Sequence, residues 1–116
     1  MSYVDGFLLS IPKKNLDRYK KIARFAGKIW KEYGALEYRE CVEDDLVSWG
    51  IPFQKRVKPK EGEVIVFSFI VYKSRAHRDR VNKLVMKDPR MAGLDKNMPF
   101  DTKRMSMAGF KTIVDL

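Results

Sequence analysis

The chain has 116 residues, of which 45% are hydrophobic and 12% aromatic, and a formal net charge of +9. This length suits one domain over residues 1–116, and the composition is globular, which excludes an intrinsically disordered chain. No apolar run approaches the ~20 residues of a membrane-spanning helix, and the single cysteine excludes an internal disulfide.

The chain opens with a predicted strand followed by a predicted helix. Residues 3–11 are mostly apolar, and Pro12 ends the strand. Asn15 is a favourable helix N-cap, and apolar residues then recur at helical spacing as far as Tyr33. Gly27 falls on the apolar side of this helix, so we expect it to let the helix approach the sheet closely.

The middle of the chain predicts two further strands. Gly34 stands where a helix C-cap belongs, and residues 35–42 predict the second strand. Residues 44–62 form a long connection. Residues 64–72 are almost continuously β-branched or aromatic, which predicts a third strand.

The last third of the chain predicts a helix, an irregular segment and a strand. Ser74 caps a helix that runs to about Lys87, residues 89–101 are irregular with a short helical turn, and residues 103–114 form the last strand. The order βαββαβ predicts a ferredoxin-like α+β sandwich, in which two helices cover one face of a four-stranded antiparallel sheet. The first and third strands are central in that arrangement.

Both predicted central strands are apolar on both faces. In the third strand, one face carries Val64, Val66 and Ile70, and the other carries Ile65, Phe67, Phe69 and Val71. Two helices can cover only one face, so we expect a second copy of the chain to cover the other, giving a dimeric α+β barrel. The alternative is that the long connection folds back over this face.

Linked blocks of sequence run through the whole chain. They include Tyr3-Val-Asp-Gly-Phe, Pro12-Lys-Lys-Asn-Leu-Asp, Gly34-Ala-Leu-Glu-Tyr, Tyr72-Lys-Ser-Arg-Ala-His-Arg-Asp and Met98-Pro-Phe-Asp. Together these blocks resemble the YbaA-like family of uncharacterised bacterial proteins. The resemblance implies a ferredoxin-like dimeric α+β barrel and no established activity. Similarity to oxygenases and isomerases of the wider barrel superfamily is an analogy of fold alone.

Three residues are candidates for catalysis: His77, Glu40 and Tyr38. His77 is the single histidine, and its place in the second predicted helix points it towards the helix–sheet seam, where it would suit acid–base chemistry near neutral pH. Glu40 interrupts an apolar strand face, as Asp5 does in the first strand. These two carboxylates, with Tyr38 and His77, would frame a small polar site in an otherwise apolar pocket. The alternatives are a structural histidine, and a carboxylate that is salt-bridged or exposed near a strand end.

Asp5 interrupts the apolar face of the first strand. A carboxylate in such a place needs a partner, because an isolated buried charge is very costly. Arg39, Arg75 and Arg104 are the partners that the sequence offers. Asp5, Arg75 and Arg104 are therefore candidate ligand-binding residues, and a purely structural salt bridge is the alternative.

Trp49 is a further candidate ligand-binding residue, in the long connection 44–62. Connections of this length are often binding loops or lids. We expect either a lid that closes an apolar pocket or a hairpin extension, with residues 53–58 as an additional strand and Trp49 at the dimer edge. The chain has one histidine and no Gly-rich phosphate loop, so we expect neither a metal site nor a cofactor.

These observations leave three classes of function open. The first is a small-molecule pocket between helices and sheet, enzymatic or binding only. The second is an RNA-binding module on the basic surface, and the third a structural or interaction protein. Nucleic-acid binding is disfavoured, because acidic residues are interleaved with the basic ones and the third strand lacks the basic-glycine-aromatic opening of RNA-recognition domains. We expect no membrane partner, and we expect the protein to lie in the cytoplasm.

Overall fold

The computed structural model describes residues 1–47 and 49–116. Within these residues the four strands of the sheet are β1 (Tyr3–Pro12), β2 (Glu37–Val42), β3 (Glu63–Tyr72) and β4 (Ser106–Lys111). The helices of the same residues are α1 (Leu16–Glu32), α2 (Phe53–Val57) and α3 (Arg75–Lys87). No helix in this described part of the chain is long and apolar enough to span a bilayer.

The strands lie in the order β2-β3-β1-β4 and pair antiparallel throughout. Helices α1 and α3 pack on one face of this sheet. The predicted ferredoxin-like α+β sandwich, with the first and third strands in the centre, is therefore confirmed.

The core lies between this sheet face and the two helices. The strands contribute the buried side chains of Leu9, Ile11, Val66, Ile70 and Tyr72, and the helices those of Tyr19, Ala23, Ile29, Val81 and Val85. These residues alternate along β1 and β3, as a strand's period of two requires. Burial of each large apolar side chain stabilises the fold by roughly 1.5–3 kcal/mol.

Two glycines act as the sequence predicts. A Cβ on Gly27 would lie 2.5 Å from Cε1 of Tyr38, so α1 approaches β2 as closely as only a glycine permits. Gly34 follows the end of α1 with φ of 116°, a conformation that favours glycine.

At the start of α3, the Ser74 side chain accepts a hydrogen bond from the His77 N–H, which confirms the predicted N-cap.

Asn15 occupies the N-cap position of α1, as predicted, but its side chain does not cap the helix. It ends a short 3₁₀ turn, Lys13–Asn15, and its side chain makes no capping hydrogen bond. Its amide instead donates to the carbonyl oxygen of Pro99 at 3.0 Å. A long-range partner thus replaces the local one that the sequence pattern predicted.

The long connection does not form the alternative strand that was predicted for residues 53–58. Phe53–Val57 is the short helix α2, which ends at Lys58 with φ of 56°. Helix α2 lies against β1, and at that end of the sheet Ile65 is buried on the face opposite α1 and α3. Farther along the same face Phe67 stays 45% exposed, so the connection covers only one end of it.

Candidate functional site

A cavity of about 440 Å³ lies between α1, the helix-facing side of the sheet and the segment that follows α3. The sheet and α1 supply a lining that includes Phe7, Leu9, Ile70, Ala23, Ala26 and Trp30. Residues 89–105, called here the 89–105 segment, supply the third wall with Met91, Met98, Phe100 and Met105. This size falls within the ~300–1,000 Å³ of small-molecule sites, which are also mostly apolar.

The 89–105 segment consists largely of 3₁₀ turns. They are Pro89–Met91, Leu94–Asn97 and Thr102–Arg104. Near the start of α1, Asn15 holds the Pro99 carbonyl, and Arg18 Nη2 donates to the Asn97 carbonyl at 2.7 Å. These bonds hold the outer wall of the cavity against α1.

Asp88 fixes the beginning of the same segment. Arg90 donates from Nε to Oδ1 at 3.0 Å and from Nη2 to Oδ2 at 2.8 Å, and the Tyr33 hydroxyl donates to Oδ2 at 2.7 Å. The Arg90 guanidinium and the Tyr33 hydroxyl hold the pKa of Asp88 well below its usual range. Because Arg90 also pairs with Glu32 at 2.7 Å, Met91 is anchored to the end of α1.

Glu40 provides the polar end of the cavity. It lies opposite Ser68 in the pairing of β2 with β3, and both residues line the cavity. The Tyr19 hydroxyl donates to Oε1 of Glu40 at 2.7 Å, and the Tyr38 hydroxyl donates to Oε2 at 2.9 Å. Burial, and then the Glu40 charge, raise the pKa of Tyr19 and Tyr38 far above that of free tyrosine, so both keep their protons.

Each of these tyrosines also belongs to an aromatic pair. Tyr19 meets Phe100 edge to face at 5.7 Å between ring centroids, and Tyr38 meets Trp30 at 6.3 Å. The Trp30 indole donates to Oδ1 of Asn82 at 3.0 Å, which orients the ring in the cavity wall. Glu40 thus lies between two aromatic pairs, one at each carboxylate oxygen.

This arrangement suits a few kinds of chemistry. A carboxylate at the end of an apolar cavity can accept a hydrogen bond from a ligand, pair with a cation or take a proton. In residues 1–47 and 49–116, no group of three or more histidine, cysteine, aspartate or glutamate side chains is placed to hold a metal ion.

The structure brings together two of the three predicted catalytic residues, Glu40 and Tyr38, but His77 is not among the residues that line the cavity. His77 is buried at the start of α3, where Nδ1 accepts the Lys73 N–H at 2.9 Å and the imidazole meets the edge of Tyr72. Burial, and then the nearby Arg80 and Lys73 charges, lower the pKa of His77. These contacts fit the structural alternative.

The predicted partners of Asp5 are wrong. Its carboxylate, 1% exposed, accepts from Arg78 Nη1 at 2.9 Å and from Asn82 Nδ2 at 3.5 Å. The sequence did not identify Arg78 as the partner, because the packing of α3 decides which of its side chains faces the sheet. Burial, opposed by Arg78, raises the pKa of Asp5.

The remaining candidate ligand-binding residues lie outside the cavity lining. Arg104 pairs with Glu63 at 2.7 Å, Arg75 is exposed, and Trp49 is fully exposed. Sequence reasoning in turn missed Tyr19 as a polar contributor, because its helical spacing marked it as one more core position. Its hydroxyl gives no local signal, since its partner Glu40 is 21 positions away.

Comparisons with known proteins give two matches in sequence that extend over most of the chain. The family described as "Protein of unknown function (DUF1428)" matches residues 2–102. "Uncharacterized protein YbaA" of Escherichia coli (strain K12) is 42% identical over 116 residues, or 99% of each chain, and the Shigella flexneri protein of that name has the same figures.

Two solved structures share the fold at low sequence identity. An uncharacterised NIPSNAP domain protein from Burkholderia xenovorans has a TM-score of 0.60 at 15% identity, covering 95% of this chain and 93% of its own. A dimeric ferredoxin-like protein from an uncultured marine organism has a TM-score of 0.55 at 14% identity, covering 100% of both chains. The family match and the YbaA identity show that this chain belongs to the DUF1428 family, as the resemblance to YbaA-like proteins predicted.

Proposed function

We propose that this protein binds a small, mostly apolar molecule in the cavity between α1, the sheet and the 89–105 segment. The observation that carries the proposal is the Glu40 carboxylate, held by Tyr19 and Tyr38 at one end of a mostly apolar space of about 440 Å³. Ligand sites commonly combine an apolar lining with a few placed polar groups that orient the ligand.

The outer wall adds support for the proposal. Methionine packs adaptably against ligands of different shape, and Met91, Met98 and Met105 line the cavity. The Asp88–Arg90 contacts and the Asn15–Pro99 bond hold this wall in place without filling the space behind it. The cavity is thus largely preformed, which lowers the entropic cost of binding.

Titration with phenethyl alcohol, a neutral probe with an apolar body and one hydroxyl, tests the proposal. We expect changes in the amide NMR spectrum to concentrate at cavity residues such as Glu40, Ser68 and Phe100. Ala26→Phe fills the cavity from α1, and Met98→Trp fills it from a segment outside the helices, so at least one folded variant should lose the response. The exposed Lys28→Ala on α1 is the matched control. Unchanged binding in both filled variants would contradict the proposal.

We also propose that two copies pair through the sheet face that lies opposite α1 and α3. On this face Phe67 is 45% exposed and Phe110 is 59% exposed, an apolar area that a monomer would leave in water. A two-fold axis would bring this face against its own copy. The ferredoxin-like protein from an uncultured marine organism is described as dimeric, which supports pairing of copies in this fold.

The mass in solution tests the pairing. We expect Phe67→Lys to halve the sedimentation mass, because it places a charge in the proposed interface. Phe25→Lys is the matched control, since Phe25 is 44% exposed but lies on α1. A wild-type monomer, or a dimer that persists in Phe67→Lys, would refute the arrangement.

We propose the cytoplasm as the location of this protein. The single cysteine, Cys41, is free and exposed, which is usual for proteins of reducing compartments. Fractionation of cells tests this location.

A further inference from the structure

The cavity carries negative charge inside a protein of formal net charge +9. Its charged lining residues are Arg39, Glu40 and Asp95. Arg39 is 61% exposed at its side chain and pairs with Glu37 at 3.2 Å, so its positive charge is already compensated. Two of the three charged lining residues are thus carboxylates, of opposite sign to the net charge of the protein as a whole.

Glu40 still has capacity to accept hydrogen bonds. An ionised carboxylate offers about four lone-pair sites. Tyr19 uses one site on Oε1 and Tyr38 uses one on Oε2. The two tyrosines direct their O–H groups to Glu40, so the polar end of the cavity presents acceptor capacity and negative charge to a ligand.

The walls beside Glu40 complete the chemistry. Glu40 is exposed on one side, and on the other Tyr19 and Tyr38 contact its carboxylate. These two rings pair with Phe100 and Trp30 respectively. Aromatic rings take up the apolar body of a ligand, and their faces attract cations at distances up to about 6 Å. Among the described residues that line the cavity, the one cationic side chain, Arg39, is paired with Glu37, so an anion would meet the Glu40 charge with little to offset it.

We infer that the ligands of this site are protonated amines attached to an apolar body, with the ammonium group on the Glu40 carboxylate and the body among the aromatic and methionine side chains. This inference rests on the proposed small-molecule site and names the chemical class that it takes.

A matched series of three probes tests the class: phenethylamine, phenethyl alcohol and hydrocinnamate share one apolar body and differ in the charge of one end. Their dissociation constants are measured by NMR titration at ~0.15 M salt, where the general attraction of the basic surface for anions is largely screened beyond roughly 8 Å. We expect the amine to bind about tenfold more tightly than the alcohol, a difference of about 1.4 kcal/mol, since a charge-assisted hydrogen bond is roughly twice as strong as a neutral one. Hydrocinnamate should bind most weakly.

Two substitutions that each remove one carboxylate charge test whether this preference depends on Glu40. Glu40→Gln should remove the preference for the amine while it leaves the alcohol bound within about threefold. Glu61→Gln, an exposed position outside the cavity lining, should keep the full preference.

The outcomes separate the two proposals. If amine and alcohol bind equally, or if the preference survives in Glu40→Gln, the amine inference is wrong while the cavity remains a binding site. If hydrocinnamate binds best, the inference is likewise wrong. If no probe perturbs the cavity residues, or if Ala26→Phe and Met98→Trp change nothing, the proposed site itself fails.

Discussion

Gly27 of α1 and Tyr38 of β2 touch so closely that a methyl group on Gly27 would lie 2.5 Å from Cε1 and 2.6 Å from Cδ1 of the Tyr38 ring. The ring is held on its other sides by Trp30 and by the bond from its hydroxyl to Glu40. One glycine in the helix therefore determines where a hydroxyl of the candidate site lies.

Gly27→Ala should destabilise the protein although it raises helix propensity. The propensity gain is about 1 kcal/mol, while overpacking costs roughly 1–3 kcal/mol, and the ring is held in place by Trp30 and by its hydrogen bond to Glu40. In a Tyr38→Ala background the clash is gone, so the same change should stabilise by up to about 1 kcal/mol. Urea unfolding of the four proteins measures both values, with the exposed Lys28→Ala as control. Stabilisation by Gly27→Ala in the presence of Tyr38 would contradict the contact.

Asn82→Ala should lower stability by roughly 2 kcal/mol, because it leaves the part-buried Trp30 indole and the hydroxyl of the buried Tyr72 without an acceptor. Oδ1 of Asn82 accepts from both the Trp30 indole and the Tyr72 hydroxyl, each at 3.0 Å. In a Trp49→Phe background the fluorescence reports Trp30 alone, and we expect its emission to shift to the red as the ring loosens. The exposed Lys83→Ala on the same helix should leave emission and stability unchanged. An unaltered Trp30 spectrum in Asn82→Ala would argue against the orienting role.

His77 should make stability fall in mildly acidic solution. Burial lowers its folded-state pKa from the ordinary value of 6.5, so the unfolded chain binds the proton more readily. The stability that neutral His77 contributes is fully present above pH 6.5 and is lost as the pH falls towards the lowered pKa. His77→Gln keeps an acceptor for the Lys73 N–H but does not titrate, so its unfolding free energy should lack this fall between pH ~7 and ~5. Identical pH profiles for the two proteins would show that His77 is not buried as described.

Asp88 should govern a second loss of stability at lower pH. Its folded-state pKa is depressed by Arg90 and Tyr33, so its contribution is present above the ordinary value of 3.8 and disappears as the pH falls through the lowered pKa. Asp88→Asn should be less stable than wild type at neutral pH and should approach it in strong acid. Unfolding free energies over this range test the sign, with the exposed Asp44→Asn as the control that stays parallel to wild type. A constant difference between wild type and Asp88→Asn would contradict the ion pair.

Local signals in the sequence succeeded where the structure uses local contacts. Ser74 caps α3 three residues before its donor, and Gly34 ends α1 in a conformation suited to glycine. Asn15 had an equally good local signal, but its amide bonds to Pro99, 84 positions away. The distant Pro99 carbonyl thus takes the Asn15 side chain away from the N–H groups of the first turn of α1. A capping pattern in the sequence cannot show that such a distant partner exists.

The candidate site shows the same division. Glu40 and Tyr38 were identified from strand alternation, which places them on one face at positions two apart. Tyr19 and Trp30 were assigned only to the apolar side of a helix, and the 89–105 segment only to an irregular region. These side chains and the 89–105 segment come together near the Glu40 carboxylate. This depends on the angle at which α1 crosses the sheet and on the side of α1 along which the segment returns.

The βαββαβ order and the apolar character of both sheet faces follow from the sequence alone, because periodicity and turn residues are properties of neighbouring positions. The central position of β1 and β3 follows from the commonest arrangement of that order. Which polar groups meet depends on how the elements pack: Asp5 meets Arg78, Tyr19 meets Glu40, and His77 meets the Lys73 backbone rather than the cavity. A helix carries side chains all round its axis. Which of them reaches a given strand residue follows from the packing angle and the depth of contact, and at Tyr38 that depth depends on one missing methyl group at Gly27.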